Sequence, residues 1–401
     1  MAAALQTGGD IPVPAPVLAI LRRLEDAGHE TWCVGGAVRD ELLGNVQQDV
    51  DLATAAAPEV VLKLFRRTVP VGIEHGTIGV LDDDNVLHEV TTFRRDVRTD
   101  GRHAIVEFGV SLDEDLARRD FTINAIAYHP VRHAWRDPFA GRDDLRQGII
   151  RAVGEPAVRF AEDRLRILRA LRFAARFDFT IDPATWAAAT DQAHDIGHLS
   201  AERVRGEWVK SIATARSLDT LVQLWFDSGV TRTWLPECRA PNSSRDDVPV
   251  ADRIATRDPV VVTAAFCSPN ATIWRRFKGS NDEIHRAEAI DRAPPRPASA
   301  APRDVRRWIA MVGAAADDLR TLARWRGDDS DGWSAVLDQI RLRGEATGRS
   351  GLAVTGDDLI GAGIAAGPEI GRTLDRLLGV VLDEPALNTR EALLALARKA
   401  G

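Results

Sequence analysis

Apolar residues recur every three to four positions between residues 14 and 28. Val17, Ile20, Leu21 and Leu24 fall on one side, which predicts an amphipathic helix. The period then shortens. Thr31 to Val34 reads as a strand that runs into Gly35-Gly36, and Ala37 to Leu43 reads as a helix stopped by Gly44. A second strand carries Asp49-Val50-Asp51-Leu52. Two more, Gly76 to Leu81 and Val86 to Phe93, are joined by the turn-prone Asp82-Asp83-Asp84-Asn85. From about residue 155 the strand signal fades and helical patterns dominate. Breaks fall near 240–250 and at the Pro/Ala-rich Ala293 to Pro302, read as a linker or an exposed loop. Gly367-Pro368 starts a final helical pair. The pattern predicts an α+β head followed by a long all-helical portion, with no internal repeat.

Length and composition narrow this picture. At 401 residues the chain is too long for one ordinary core, so two to four domains are expected. No stretch of about 18 uncharged apolar residues suggests a membrane span. Met1 to Pro16 lacks a basic stretch followed by an apolar run, so no export signal is expected. Cys33, Cys238 and Cys267 are widely scattered. They have no metal-binding spacing and make no even disulfide set, which fits a reducing cytoplasm. The net charge of −7 argues against a nonspecific nucleic-acid binder. The charge is uneven, however: Arg164, Arg166, Arg169, Arg172 and Arg176 face only Glu162 and Asp163 in the same stretch. A local basic stripe on an acidic protein is compatible with a defined RNA or nucleotide site.

The strongest local signal is Gly35-Gly36-Ala37-Val38-Arg39-Asp40 followed by Asp49-Val50-Asp51. Paired glycines between a strand and a helix let backbone N–H groups approach an anion at a helix N-terminus. Arg39 on the first turn can reach a triphosphate. Asp49 and Asp51, two apart on a strand, project from one face. Two such close carboxylates favour a hard divalent cation, above all Mg²⁺ shared with substrate phosphates. Alone, a D-x-D is common on solvated strands; the upstream glycine motif makes a two-metal phosphoryl-transfer site the stronger reading. Glu89, on an alternating neighbouring strand, is a candidate third ligand or base, with a solvent-facing glutamate as its rival.

Arg118-Arg119-Asp120-Phe121-Thr122-Ile123-Asn124 forms the next cluster. Arg119 can bind phosphate, Asp120 can orient an arginine, and Asn124 can contact a ribose hydroxyl. A simple helix cap would explain Asp120 but not the paired arginines. Further on, Asp163 and Arg166 are i and i+3 neighbours if one helix runs through both. They would present an acceptor beside a fork of donors. Cytosine and adenine each offer an amino donor next to a ring-nitrogen acceptor, so this pair can read either base without a template. Arg169 and Arg172 continue the ridge and suit phosphates. An ordinary surface ion pair is the rival reading.

Taken together these motifs resemble the class II tRNA nucleotidyltransferase and bacterial poly(A) polymerase family, with the bacterial CCA-adding enzymes nearest. The resembling stretches are GGAVRD (35–40), DVD (49–51), EHGTIGV (74–80), EVTTFR (89–94), RRDFTINA (118–125), DPFAGRDDL (137–145) and EDRLRILRALRFAARF (162–177), with SAERVRGEW (200–208) weaker. The similarity is dense across about 30–210, faint in the tail and slight in 240–330. It implies a polymerase-β-like nucleotidyltransferase head over 1–145, a helical neck with base recognition over 146–215, a helical body over 216–330, and a helical, tRNA-binding tail over 331–401. It assigns metals to Asp49 and Asp51, triphosphate to Gly36 and Arg39, and base selection to Asp163 and Arg166. Arg119 is the RRD arginine, and Arg169 and Arg172 are nucleotide contacts. The implied partners are the acceptor end of tRNA, CTP and ATP; the implied cofactor is Mg²⁺ and the implied location the cytoplasm.

Poly(A) polymerases share nearly all these motifs, but long basic extensions are lacking here. Arg94 to Gly109, with Asp96, Arg98, Asp100 and Arg102, resembles the loop that lets the pocket switch from CTP to ATP, which speaks against a CC-only enzyme but not an A-only one. A catalytically inactive RNA-binding protein is the rival from another class, and the intact Asp49 and Asp51 weigh against it. His194-Asp195, the one His-Asp dipeptide, lacks the flanking ligands of a phosphohydrolase site.

Overall fold

The amphipathic stretch near the start forms α1 (Ala15–Asp26), which buries Val17, Ile20, Leu21 and Leu24. β1 (Thr31–Val34), α2 (Gly36–Leu42), β2 (Asp51–Thr54) and α3 (Pro58–Leu64) follow. Next come β3 (Thr68–Gly72), β4 (Thr77–Leu81) and β5 (Leu87–Thr92). The hairpin β6 (Arg94–Thr99) and β7 (Ala104–Phe108) is a separate two-stranded sheet. α4 (Leu112–Ala117), β8 (Ala127–His129), β9 (Ala134–Arg136) and α5 (Gly141–Gln147) complete the head. This computed structural model describes residues 10–45, 49–99, 104–239 and 256–399. Asp100, Arg102 and the side chains of Asp96 and Arg98 lie outside the described residues, as does the break near 240–250.

Seven strands form one mixed sheet in the order β3-β4-β5-β2-β1-β8-β9. β2 and β5 pair in parallel and the other neighbours antiparallel. Trp32, Val34, Ala53, Phe93, Leu112, Leu116 and Ala127 pack into one core cluster. Asp49 precedes the strand that sequence alternation gave it, since β2 begins at Asp51. Sequence reading missed β3 because this edge strand exposes Val69, Pro70 and Val71 in a row and so has no alternation.

After β10 (Ile149–Ile150) come α6 (Pro156–Glu162), α7 (Leu165–Phe177), β11 (Thr180–Ile181), α8 (Pro183–Asp191), α9 (Ala201–Thr214), α10 (Leu218–Asp227) and α11 (Thr231–Trp234). β10 pairs with β11, a short parallel ladder in a stretch that reads as purely helical. α7 packs on α9 and α10, and Trp208 meets Trp225 edge to face at 4.7 Å. The i, i+3 spacing of Asp163 and Arg166 assumes a single helix, but α6 ends at Glu162 and Asp163 is extended (φ −148°). The cause is local: the Asp163 carboxylate accepts the backbone N–H of Leu165 at 3.0 Å and starts α7 afresh.

The chain divides into two compact units, Met1–Pro236 and Glu237–Gly401. In the second lie α12 (Pro259–Phe266), α13 (Asn270–Arg276), α14 (Asn281–Arg292), α15 (Pro302–Val312), α16 (Ala316–Arg326), α17 (Trp333–Leu342), α18 (Gly356–Gly361), α19 (Pro368–Asp383) and α20 (Arg390–Arg398). Leu352, Val354, Leu359, Leu377, Val381 and Leu393 form a core near its end. The stretch 293–301 does not separate units. It loops between α14 and α15, with Pro297 buried and the Pro294 carbonyl accepting Trp308 Nε1–H at 2.9 Å. The cysteines also need correction: Cys238 and Cys267 form a disulfide, leaving Cys33 buried as a free thiol. A 29-residue separation gave no cue to a pairing that depends on an antiparallel bridge between the two backbones. No helix among the described residues is long and apolar enough to cross a membrane.

Candidate active site

β1 and β2 are antiparallel with Val34 opposite Asp51, so the chain leaves β1 directly beside that carboxylate. Gly35 turns it with φ 79° and caps α2. A side chain there would be strained, and its Cβ would stand 3.2 Å from Arg119 Nη1 and 3.7 Å from Asp51 Oδ2. On the other side of β2, Leu52 pairs with Val90 in parallel register, which sets Asp51 beside Glu89. Asp49 is exposed and Glu89 half-buried. Burial, then the charges of Glu89 and Asp49, push the Asp51 carboxyl up to about 6; Arg119 opposes them. The repulsion that Glu89 and Asp49 exert on Asp51 is what a divalent cation would relieve. Among the described residues no group of three His, Cys, Asp or Glu side chains is placed to hold a metal ion by itself. The donor set therefore suits a hard cation that takes its remaining ligands from phosphates and water.

Asp51 also lines a pocket of about 600 Å³. It is lined by Gly35, Gly36 and Arg39, by Arg118, Arg119, Asp120 and Asn124, and by Asp163, Arg166, Arg169, Arg172 and Arg203. The structure thus brings together the glycine turn, the RRD cluster and the basic stripe, with Glu89 and Asp49 beyond the pocket lining.

Several of these groups already hold one another. Arg39 is only 3% exposed. Its Nε bonds Asp40 Oδ1 at 2.8 Å, its Nη1 donates to Asn124 Oδ1, and it lies over the rings of Phe173 and Phe177. Burial lowers its pKa despite the Asp40 charge. Asn124 in turn donates to Asp120 Oδ1 at 2.9 Å. Asp120 Oδ2 takes both Nε and Nη2 of Arg169, at 2.7 and 2.6 Å. Burial pushes the Asp120 carboxyl up, but Arg169 and the hydrogen bonds outweigh it and hold it below the usual range. Arg172 donates to Glu207 on α9 at 2.7 Å.

Arg166 donates to Glu162 at 2.8 Å and to the carbonyl oxygens of Arg159 and Arg118 at 3.2 and 3.1 Å. Asp163 accepts from Arg203 Nη2 at 2.7 Å. Sequence reasoning gave no role to Arg203 and Glu207, which come from α9 some 40 residues further on, although both lie in the weakly resembling stretch SAERVRGEW (200–208). It also missed Asp115, whose spacing to Arg118 and Arg119 was there to be read.

Similarity to known proteins agrees with this geometry. The family described as Poly A polymerase head domain matches residues 31–151, and that described as Probable RNA and SrmB-binding site of polymerase A matches 178–240. The CCA-adding enzyme of Leuconostoc mesenteroides is 34% identical over 392 residues, 95% of each chain. That of Listeria monocytogenes is 34% identical over 397 residues, covering 92% of this chain and 94% of its own. The crystal structure of the Bacillus stearothermophilus CCA-adding enzyme in complex with CTP superposes with a TM-score of 0.78 at 31% identity, over 96% of each chain.

Proposed function

The chain belongs to the bacterial CCA-adding enzymes of the class II tRNA nucleotidyltransferase family, which add CCA to the 3′ end of tRNA from CTP and ATP, and from that premise we propose how its own residues divide the work. The observation that carries the reading is the position of Asp51. It belongs both to the carboxylate cluster with Asp49 and Glu89 and to the rim of the arginine-lined pocket.

Enzymes of this kind are metal-dependent, and Mg²⁺ is the ion that this donor set favours. Asp49 and Asp51 would hold it. When bound, Mg²⁺ supplies charge neutralisation on the triphosphate and acidifies the attacking hydroxyl. Glu89, in register with Asp51, would accept the proton of the tRNA 3′-hydroxyl. The Gly36 backbone and Arg119 would take the triphosphate, with Arg39 adding positive charge from the buried floor. Asp120 and Asn124 keep Arg169 and Arg39 in place, and Asn124 stands where a ribose could meet it. Asp163 and Arg166 face the pocket from separate elements and would read the amino donor and ring acceptor common to cytosine and adenine. Arg169 and Arg172 would serve the phosphates.

The domain reading follows the same premise: head over 1–145, neck over 146–215, body over 216–330 and tail over 331–401, the last binding tRNA. Because tRNA and nucleoside triphosphates are cytoplasmic, so, we propose, is this enzyme. The deciding experiment is incorporation of labelled CTP and ATP into tRNAs ending at the discriminator base, after one C, or after two. Addition of C, C and A in turn, and no more, is expected. Addition of A alone, or runs of A on varied RNA, would replace this reading with an A-adding enzyme or a poly(A) polymerase.

A further inference from the structure

Asp115 stands outside the pocket, yet three parts of the site converge on it. It sits on α4, a helix opened by a capping box in which Ser111 and Glu114 bond each other's backbone N–H groups. Its side chain is 1% exposed. Oδ1 accepts Arg118 Nε at 2.9 Å and Oδ2 accepts Arg119 Nη2 at 3.1 Å. Oδ1 also lies 3.4 Å from the backbone N of Arg94, the first residue of the β6–β7 hairpin.

Each guanidinium leads onward. Arg119 Nη1 donates to the Asn124 carbonyl at 3.3 Å and lies so close to Gly35 that a Cβ there would be 3.2 Å away. The carbonyl of Arg118 accepts Arg166 Nη2 at 3.1 Å. A buried carboxylate between two arginines is a stiff joint, because a charged acceptor fixes each planar fork in direction as well as distance. Burial alone would push the Asp115 carboxyl up; the Arg118 and Arg119 charges outweigh it and keep it ionised well into the acid range.

We propose that Asp115 is the positioning residue of the triphosphate site: it fixes the Arg119 guanidinium against the Gly35-Gly36 turn, and nucleotide affinity depends on it although it touches no substrate. This rests on the assignment of Arg119 to the triphosphate made above. Free arginine has many rotamers, and a phosphate that must order it binds more weakly than one that finds it already placed.

The test uses the full chain and a double-mutant cycle. Asp115→Asn keeps the shape but turns one acceptor into a donor facing a guanidinium. It is expected to raise KM for both CTP and ATP about tenfold while kcat stays within about threefold. Arg119→Ala is expected to raise the same KM values at least as far. In the double variant the two effects should not add: Asp115→Asn on top of Arg119→Ala should change KM by less than about twofold. Asp115→Glu, which keeps the charge, should recover part of the loss, and it carries the same cycle if the asparagine variant does not fold. Full additivity, or an equal fall in kcat for every substrate with KM unchanged, would overturn the proposal. If Arg119→Ala raises KM and neither Asp115 variant does, the coupling fails while the triphosphate assignment stands. If Arg119→Ala leaves KM unchanged, both fall.

Discussion

The Asp163 carboxylate and the Arg203 guanidinium meet at 2.7 Å between Oδ2 and Nη2, joining the break between α6 and α7 to α9. The other Asp163 oxygen is taken by the Leu165 N–H. Arg166 is held separately, by Glu162 and two backbone carbonyls. The two side chains assigned to read a base edge are therefore aimed by different partners.

These separate partners set an order of effects on base choice. Asp163→Ala and Arg166→Ala should each relax selectivity by roughly tenfold or more, admitting UTP or GTP, since a mismatched buried polar group costs about 1–3 kcal/mol. Arg203→Ala removes the partner of the Asp163 carboxylate and should relax selectivity in the same direction but less. Arg172→Ala should raise KM for all four triphosphates about equally. The measurement is kcat/KM for each triphosphate with each variant. A single common factor of slowing for Asp163→Ala would remove the base-reading role.

The raised Asp51 pKa gives a pH signature. Below about 6 the carboxyl holds a proton, which competes with a divalent cation. At limiting Mg²⁺, kcat/KM should climb nearly tenfold per pH unit up to about 6 and then level; saturating Mg²⁺ should move the inflection to lower pH. For stability the sign is opposite. A carboxyl with a folded pKa above its ordinary value of 3.8 adds stability in its protonated form. That contribution is complete below 3.8 and lost as pH rises through about 6. Asp51→Asn, which cannot ionise, should therefore abolish nucleotide addition, as should Asp51→Ala and Asp49→Ala. It should nevertheless melt about 5 °C higher than the parent at pH 7.5 and about equally at pH 3.5. Activity within tenfold of the parent would sink the metal assignment.

Gly141→Ala is expected to be severe. Its Cβ would fall 2.1 Å from the Thr122 carbonyl oxygen, a backbone atom that cannot swing aside. A loss of about 3 kcal/mol is expected. Asn124, two residues further on, would be displaced from Arg39, so KM for nucleotides should rise as well. Gly154→Ala is the control: its φ is 71° but nothing stands within 4 Å, so only the backbone cost of about 1 kcal/mol applies. Equal melting temperatures for the two variants would contradict this packing.

The cysteines give a count. Burial pushes the Cys33 thiol up to about 12, which leaves almost no thiolate at neutral pH. Before reduction the native enzyme should show no titratable thiol and the denatured enzyme one. After reduction and denaturation the number should be three, the full complement. Three without reduction would disprove the Cys238–Cys267 bond.

How much of this was legible in the sequence depends on range. β1, β4 and β5 fall where strand alternation and turn chemistry place them, because those signals act over a few residues. The helix through Asp163 was misread because a carboxylate that caps its own successor looks, in spacing alone, like any i, i+3 partner. The stretch 200–208 is legible as a weak resemblance, but the pairing of Arg203 with Asp163, of Glu207 with Arg172 and of the two cysteines depends on tertiary contact across tens of residues, which leaves no periodic trace.

Arg39 lies over Phe173 at 5.1 Å and Phe177 at 4.9 Å, while its neighbour Asp40 grips Arg176 at 2.8 Å. The short helix that opens the phosphate turn and the helix that carries the basic stripe are thus fastened to each other by five side chains from two distant stretches. In a recombinant chain these stretches form one unit of inheritance. A head transplanted from a relative without Phe173, Arg176 and Phe177 of its own host would leave a buried guanidinium and a buried carboxylate facing strangers. Crossovers placed between residues 41 and 172 should therefore yield poorly folded chimeras wherever the incoming partner lacks the matching side chains, however well the sheet itself is preserved.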